Sequence, residues 1–331
     1  MRLVSPLAAL VAAALALGAG GAACGPLRKP MSREAAEIPW LPAESAAATA
    51  VQIRLSRTPY QPGSIDGQLG DNVMHALRAF QAANRLPVTG EPDDRTRAAL
   101  DAADGDRPLI VRYAVTADDL DGPFVELPEG LYETHTLPCL CFRSAWEALA
   151  ERFQLSPALL ASLNPTIDLE RLAAGDILRV PDPTPPPLAG PVAALRIDVD
   201  ARTITALDAN GAVLRQYPTV VGEEVSAYRG TLTIVGVARD PTYEMSPDVW
   251  EELPRDWPAV TLPPGPNSPV GVVWMELSKD GYGIHGTSDP ETIGHTESHG
   301  CVRLTNWSAA ELADYVQAGV TTVSFVGKDQ G

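Results

Sequence analysis

The 331-residue chain reads as a multidomain protein, with a mainly β domain of sandwich or barrel type at its C-terminal end. A small three-helix unit and a small α+β unit precede that domain. Three observations predict this division. Proline-rich stretches break the chain into blocks, apolar residues recur at helical spacing between 49 and 104, and apolar and polar residues alternate from 192 to 328.

Residues 1–23 have the form of a signal peptide. Arg2 gives the positive start, "LVSPLAALVAAALALGAG" the apolar run, and the small residues "GAA" precede Cys24. No later stretch is apolar for long enough to span a bilayer, so the expectation is an exported protein, periplasmic or associated with the cell envelope. Acylation of Cys24 would make it lipid-anchored. Gly21 stands where a larger aliphatic residue is usual, and the anchoring stays open. Residues 24–48 lack a periodic pattern and read as a tether.

Within 49–104, Val51, Ile53, Leu55, Val73, Leu77, Phe80 and Leu100 supply an apolar face. Asp71 is placed to cap one helix and Asp93 or Asp94 the next. In the unit at 110–182, Trp146, Leu149, Ala150 and Phe153 share a helical face, Pro157 opens a second helix, Asn164-Pro165 closes it, and "DILRV" reads as a strand. A proline-rich linker follows at 183–191, stiff and extended.

The block 192–328 changes texture. "ALRIDVDARTITALDANGAVLRQYPTVVG" alternates around Asn210-Gly211, a hairpin signal, and more short strands are expected in "GTLTIVGVARD", "GVVWMEL", "GYGIHGT" and "TTVSFVG". A helix capped by Asn306 is predicted in "NWSAAELADYVQAG". "EELPRDWPAVTLPPGPNSPV" is too rich in proline for a strand and reads as a long surface loop of the kind that lids a site.

A net charge of -17 argues against nucleic acid, whose phosphates require clustered lysine and arginine. Wall polymers or other proteins suit an acidic exported chain better. Apart from Cys24 there are three cysteines. Only Leu140 separates Cys139 from Cys141, so a bridge between them would be strained, and Cys301 is the thiol left over.

Cys301 lies in "HGTSDPETIGHTESHGCVRL", which holds three of the five histidines. A cysteine attacks as its thiolate and needs a neighbour to take or balance its proton, a task suited to histidine. His299 is nearly adjacent and would point elsewhere in an extended segment, so His285, at the end of the "GYGIH" strand, is the better base. Gly300 leaves room for a carbonyl to approach, and the amides around Cys301 can face a developing oxyanion, where one donor is typically worth about 3 kcal/mol. Two other readings exist. His295 and His299 have helical metal-ligand spacing, but Gly294, Gly300 and Pro290 oppose a helix there, and no glutamate follows the first histidine. A buried structural cysteine is the other.

Three resemblances refine these readings. "IDGQLGDNVMHALRAFQAANRLPVTGEPDDRTRAAL" resembles the peptidoglycan-binding module of bacterial wall enzymes. "AWEALAERFQLSPALLASLNPTIDLERLAAGDILRVP" resembles a LysM module, a two-helix, two-strand glycan binder, although "ADDLDGPFVELPEGLYETHTLPCLCFRS" departs from it at length, leaving sugar binding open beside a spacer role. "IHGT" at 284–287 with "SHGCVRL" at 298–304, approached by "GPNSPVG", resembles the paired signature of the YkuD L,D-transpeptidase domain.

That last resemblance implies Cys301 as nucleophile and His285 as proton acceptor and donor. It further implies that the Gly286 carbonyl orients the imidazole, that Ser298, His299 and Gly300 shape the pocket and oxyanion site, and that Arg303 anchors the loop or faces a substrate carboxylate, beside the alternative of a structural ion pair. His295 stands where relatives often carry arginine. The implied reaction needs no metal or organic cofactor: a peptidoglycan tetrapeptide stem is joined to an acceptor through a cysteine thioester, giving 3-3 cross-links or exchange of the terminal D-alanine. Carbapenem β-lactams are the expected covalent inhibitors. Hydrolysis of the same thioester, as a carboxypeptidase or endopeptidase, and a non-catalytic wall-binding scaffold are the alternatives.

Overall fold

The computed structural model describes residues 38–247, 250, 253–294 and 301–327. The leader, Cys24 and most of the tether, together with His295, Ser298, His299 and Gly300, lie outside the described residues. No helix among the described residues is long and apolar enough to cross a membrane.

The first unit is three helices, α1 (Ala43–Ser56), α2 (Asp71–Ala83) and α3 (Asp94–Asp104), closed on Val51, Leu55, Val73, Leu77, Phe80 and Leu100. α1 begins inside the stretch read as tether, because the alanines of "AESAAATA" favour helix and Ala46 and Ala48 have buried positions to fill. Asp93 caps α3, its side chain accepting from Thr96 N at 2.8 Å. Asp71 does not cap α2. The N-cap is Gly70, and Asp71 occupies the first turn, where its charge complements the helix dipole.

The second unit pairs β1 (Ile110–Ala114) antiparallel with β2 (Ile177–Pro181) around α4 (Ala145–Arg152) and α5 (Pro157–Leu163), with Ser144 and Ser156 as N-caps. Its core is not its own. Leu149, Leu160, Leu178 and Val180 pack in one cluster with Ile53 and Ile65 of the first unit, so the first two units share an interior. Cys139 and Cys141 are bridged, with their Cα atoms 5.2 Å apart.

In the third block, β3 (Ala194–Asp198), β4 (Thr203–Leu207), β5 (Val213–Pro218) and β6 (Val220–Val221) precede the short α6 (Glu223–Ser226) and the long β7 (Gly230–Arg239). Then follow β8 (Tyr243–Met245), β9 (Val260–Leu262), β10 (Val273–Leu277), β11 (Gly283–His285), β12 (Val302–Arg303), α7 (Asn306–Tyr315) and β13 (Thr322–Val326). Nine strands form one sheet in the order β5-β4-β3-β13-β7-β10-β11-β12-β6. Its two rim strands, β5 and β6, are separated in the chain only by Thr219, so the sheet curls into a nearly closed barrel. Leu195, Ile197, Ile204, Tyr217, Ile234, Met275, Ile284 and Val302 fill it, with Ala309 and Leu312 of α7.

Three local expectations change. The alternation before Asn210-Gly211 hides an extra turn at 199–202, where the Asp198 carboxylate accepts from the amides of Asp200 and Ala201 and Arg202 takes a left-handed φ of 50°. The proline-rich loop contains a strand, because Pro258 and Pro263 flank Val260–Leu262 rather than interrupt it. The cap of α7 is Thr305, accepting from Ser308 N, since the Asn306 side chain is engaged elsewhere.

Arg57 joins the blocks. Its guanidinium meets both Asp104 carboxylate oxygens at 2.9 Å and donates to the carbonyls of Pro108 and Asp182, each at 2.7 Å, with side chains 2% and 1% exposed across the ion pair. Burial lowers the Arg57 pKa, and Asp104 opposes that shift. Arg57→Ala should therefore take from the buried Asp104 carboxylate its bidentate partner and lower the unfolding free energy by about 3–5 kcal/mol, read from the urea midpoint.

Candidate functional site

The site begins with a register. β11 and β12 run parallel, with Ile284 opposite Val302 and His285 opposite Arg303, and the Leu304 amide donates to the His285 carbonyl at 2.8 Å. Side chains alternate along a strand and agree in direction between residues in register. Ile284 and Val302 point into the barrel core, so His285 and Arg303 share the other face. Cys301, two residues before Arg303, belongs to that face as well. The Cys301 carbonyl, for its part, accepts from Gly222 N at 3.0 Å.

His285 is held on two sides. Its Nδ1 donates to the Gly286 carbonyl at 2.6 Å, which leaves Nε2 as the ring's basic nitrogen. Trp274, its cross-strand neighbour on β10, stacks on the imidazole with centroids 5.5 Å apart and planes 20° apart. The indole lies so close over Gly283 that a Cβ there would come within 2.4 Å of it, so a bare strand position is needed for the stack. Burial is the main force that lowers the His285 pKa, to about 4; the Gly286 bond works against this and the Arg303 charge reinforces it. The imidazole is thus neutral at neutral pH, unlike an exposed histidine.

Cys301 is half-buried, its Sγ 3.9 Å from the Gly281 carbonyl. The Arg303 guanidinium has its pKa lowered by burial, and Cys301 and Tyr243 act to raise it, so the three groups lie within electrostatic range of one another. No carboxylate forms an ion pair with Arg303 among the described residues, and its Nε finds no hydrogen-bond partner there. Tyr243, on β8, accepts a hydrogen bond from the Trp250 indole at 2.9 Å.

Below the histidine, buried Asn306 ties segments together. Its Oδ1 accepts from Val272 N at 3.2 Å, and its Nδ2 donates to Pro266 O at 3.1 Å and to Glu151 of α4 at 3.3 Å. Burial pushes the Glu151 carboxyl up to about 7; the Asn306 bond pulls it down and Glu147 adds to the rise. Both glutamates line a cleft of about 480 Å³ between the second and third blocks, with Arg143, Asn267, Ser288 and Glu291. Neither His285 nor Cys301 lines that cleft.

The structure thus brings together His285, Gly286, Cys301 and Arg303 of the residues singled out by sequence. Trp274, Tyr243, Trp250 and Asn306 were not singled out. Parity along "GVVWMEL" carried a signal for Trp274, which must face away from buried Val273 and Met275. Tyr243 and Trp250 had none, because their place depends on a long connection folding back.

Comparison with known proteins matches residues 193–324 to the YkuD model, described as "L,D-transpeptidase catalytic domain", and residues 44–100 to the "Putative peptidoglycan binding domain". The chain is 31% identical over 172 residues to a Bacillus subtilis protein named "Putative L,D-transpeptidase YkuD", covering 52% of this chain and 88% of that one. It is 28% identical over 179 residues to the protein of the same name from Bacillus licheniformis, again covering 52% and 88%. A solved L,D-transpeptidase from Xylanimonas cellulosilytica aligns with 85% of this chain and 93% of its own at 17% identity, but a TM-score of 0.37 is too low to bear on the fold. With the family model laid over the barrel, the helical match over the first unit, and a relative spanned over most of its length, the chain belongs to the YkuD family of L,D-transpeptidases.

Proposed function

We propose that this protein cross-links peptidoglycan stem peptides through a thioester on Cys301, with His285 moving the proton. The observation that supports this reading is the β11–β12 register, which puts His285 opposite Arg303, two residues after Cys301, while the Gly286 carbonyl accepts from the imidazole Nδ1.

The proton inventory follows from a neutral imidazole. His285 Nε2 accepts the thiol proton as Sγ attacks the carbonyl carbon of the third stem residue, and the Arg303 cation favours the sulfur anion as it forms. The amides around Gly300 and Cys301 would hold the oxyanion. His285 returns the proton to the departing amine of the terminal D-alanine, leaving a thioester. An acceptor amine then attacks that carbonyl, loses its proton to His285, and expels the thiolate, which recovers the proton. Burial keeps His285 in its unprotonated form, open to accept a proton though a weaker base, and makes the protonated ring a strong donor to the departing amine.

The peptidoglycan-binding unit, with the LysM-like unit if it grips glycan, would raise the local stem concentration without entering the chemistry. The leader-like N-terminus supports export to the envelope, with Cys24 as a lipid anchor in one form of that proposal. Carbapenems, acyl donors that resist release, would trap Cys301.

Incubated with disaccharide tetrapeptides, the full chain is expected to yield dimers, and Cys301→Ala none, with no carbapenem adduct by mass spectrometry. Tripeptides alone would replace transfer by hydrolysis, and an unmodified Cys301 in the parent would favour a scaffold. His285→Gln should slow acylation about 10²- to 10⁴-fold. Because the His285 pKa is lowered, its base form persists as pH falls and is lost only through about 4. The acidic limb of single-turnover acylation should accordingly lie near pH 4; a limb near the ordinary histidine value would contradict the buried, neutral imidazole.

A further inference from the structure

The stretch at 123–142 departs from the pattern of its own unit, and its contacts lie mainly with the third block. Leu140, fully buried, packs with Met245 of β8 and Leu262 of β9, and Leu127, Leu131, Tyr132, Leu137, Tyr243 and Trp250 close around them in a cluster of their own. Backbone bonds lock this contact on both sides of Leu140. Its amide donates to Pro264 O at 2.8 Å and its carbonyl accepts from Asn267 N at 2.9 Å, while Asn267 Nδ2 reaches Cys141 O at 2.9 Å. Gly265 passes so near that a Cβ would stand 2.3 Å from the Leu140 oxygen. At the outer end, Tyr132 stacks near Trp257 at 4.4 Å between centroids and donates to Pro258 O at 3.0 Å.

The β8–β9 hairpin gripped in this way carries Tyr243, which pairs with β9, accepts from Trp250 and packs in the same cluster as Leu140. The chain leaving β9 is bonded to Leu140 at Pro264 and Asn267, and between them Pro266 O accepts from Asn306, whose Oδ1 lies so close to Gly286 that a Cβ there would stand 2.2 Å from it. Gly286 is the residue whose carbonyl holds the His285 ring.

We propose that the 123–142 segment is a positioning element of the transpeptidase site, with Leu140 as its key side chain, clamped by the Cys139–Cys141 bridge against the β8–β9 hairpin and the chain that reaches Asn306 beneath His285. The second unit then contributes to turnover from behind the hairpin, whatever it does with glycan. This rests on Cys301 being the nucleophile for its catalytic consequence, but not for its mechanical one.

Two readouts on the full chain separate those consequences. Hydrogen exchange of the 243–262 amides should rise at least 10-fold in Leu140→Ala and in the double variant Cys139→Ser, Cys141→Ser. Leu160→Ala, equally buried but in the core shared by the first two units, should leave those amides unchanged. Acylation by a carbapenem should fall about 10-fold in kcat-type rate with little change in KM for the first two variants, and Leu140→Met, which restores the volume, should recover most of it. Unchanged hairpin exchange in both strap variants overturns the proposal. Loosened exchange with unaltered acylation overturns the positioning role, provided that the parent is acylated on Cys301; a parent never acylated there instead overturns the transpeptidase reading and leaves the hairpin contact standing.

Discussion

The proposed chemistry depends on a short parallel pairing. Among the described residues, β11 and β12 pair through Ile284 with Val302 and His285 with Arg303. Because side-chain direction alternates along strands, a slip of one residue would turn His285 or Cys301 into the barrel and bring an aliphatic residue to the surface. The buried aliphatics hold the register as firmly as any polar contact, since Ile284 and Val302 both have no exposure. Core packing and catalytic geometry are the same constraint seen from two faces of one sheet.

Around that register the environment is arranged to keep charge low on the base. Trp274 and the strand floor exclude water from the imidazole, Gly286 takes its one donor, and Arg303 adds a cation that disfavours a second. Arg303 is half-buried, and no carboxylate forms an ion pair with it among the described residues. In the proposed reaction the Cys301 sulfur would supply the counter-charge to Arg303.

Much of this was legible in the residues. Helix faces, capping at Asp93, the Asn210-Gly211 hairpin, the strand ending in His285 and the helix after Thr305 all follow from spacing and turn chemistry, which act over a few positions. What escaped depends on long-range closure. The turn at 199–202 is invisible because alternation continues across it, and the strand at Val260–Leu262 becomes one only when β8 supplies a partner. Ile53 and Ile65 carry the spacing of a self-contained bundle, and nothing local says that their neighbours are Leu149 and Leu160 of the next unit. Likewise the 123–142 segment is unreadable alone, since its pattern matches a surface in another block.

The position of Thr219 has a further meaning. It hands the chain from one rim of the sheet to the other, its hydroxyl donating to the Arg303 carbonyl at 2.6 Å and its amide to Arg202 O at 2.8 Å, while Val220 and Val221 pair with Arg303 and Val302. β12 is therefore flanked by ladders on both sides, one of them to a segment some eighty residues earlier in the chain, roughly the loop length whose closure entropy must be met before that ladder forms. β12 is among the last pieces that such a topology can complete. A nascent or partly assembled copy would consequently hold Cys301 and His285 apart until the barrel is finished.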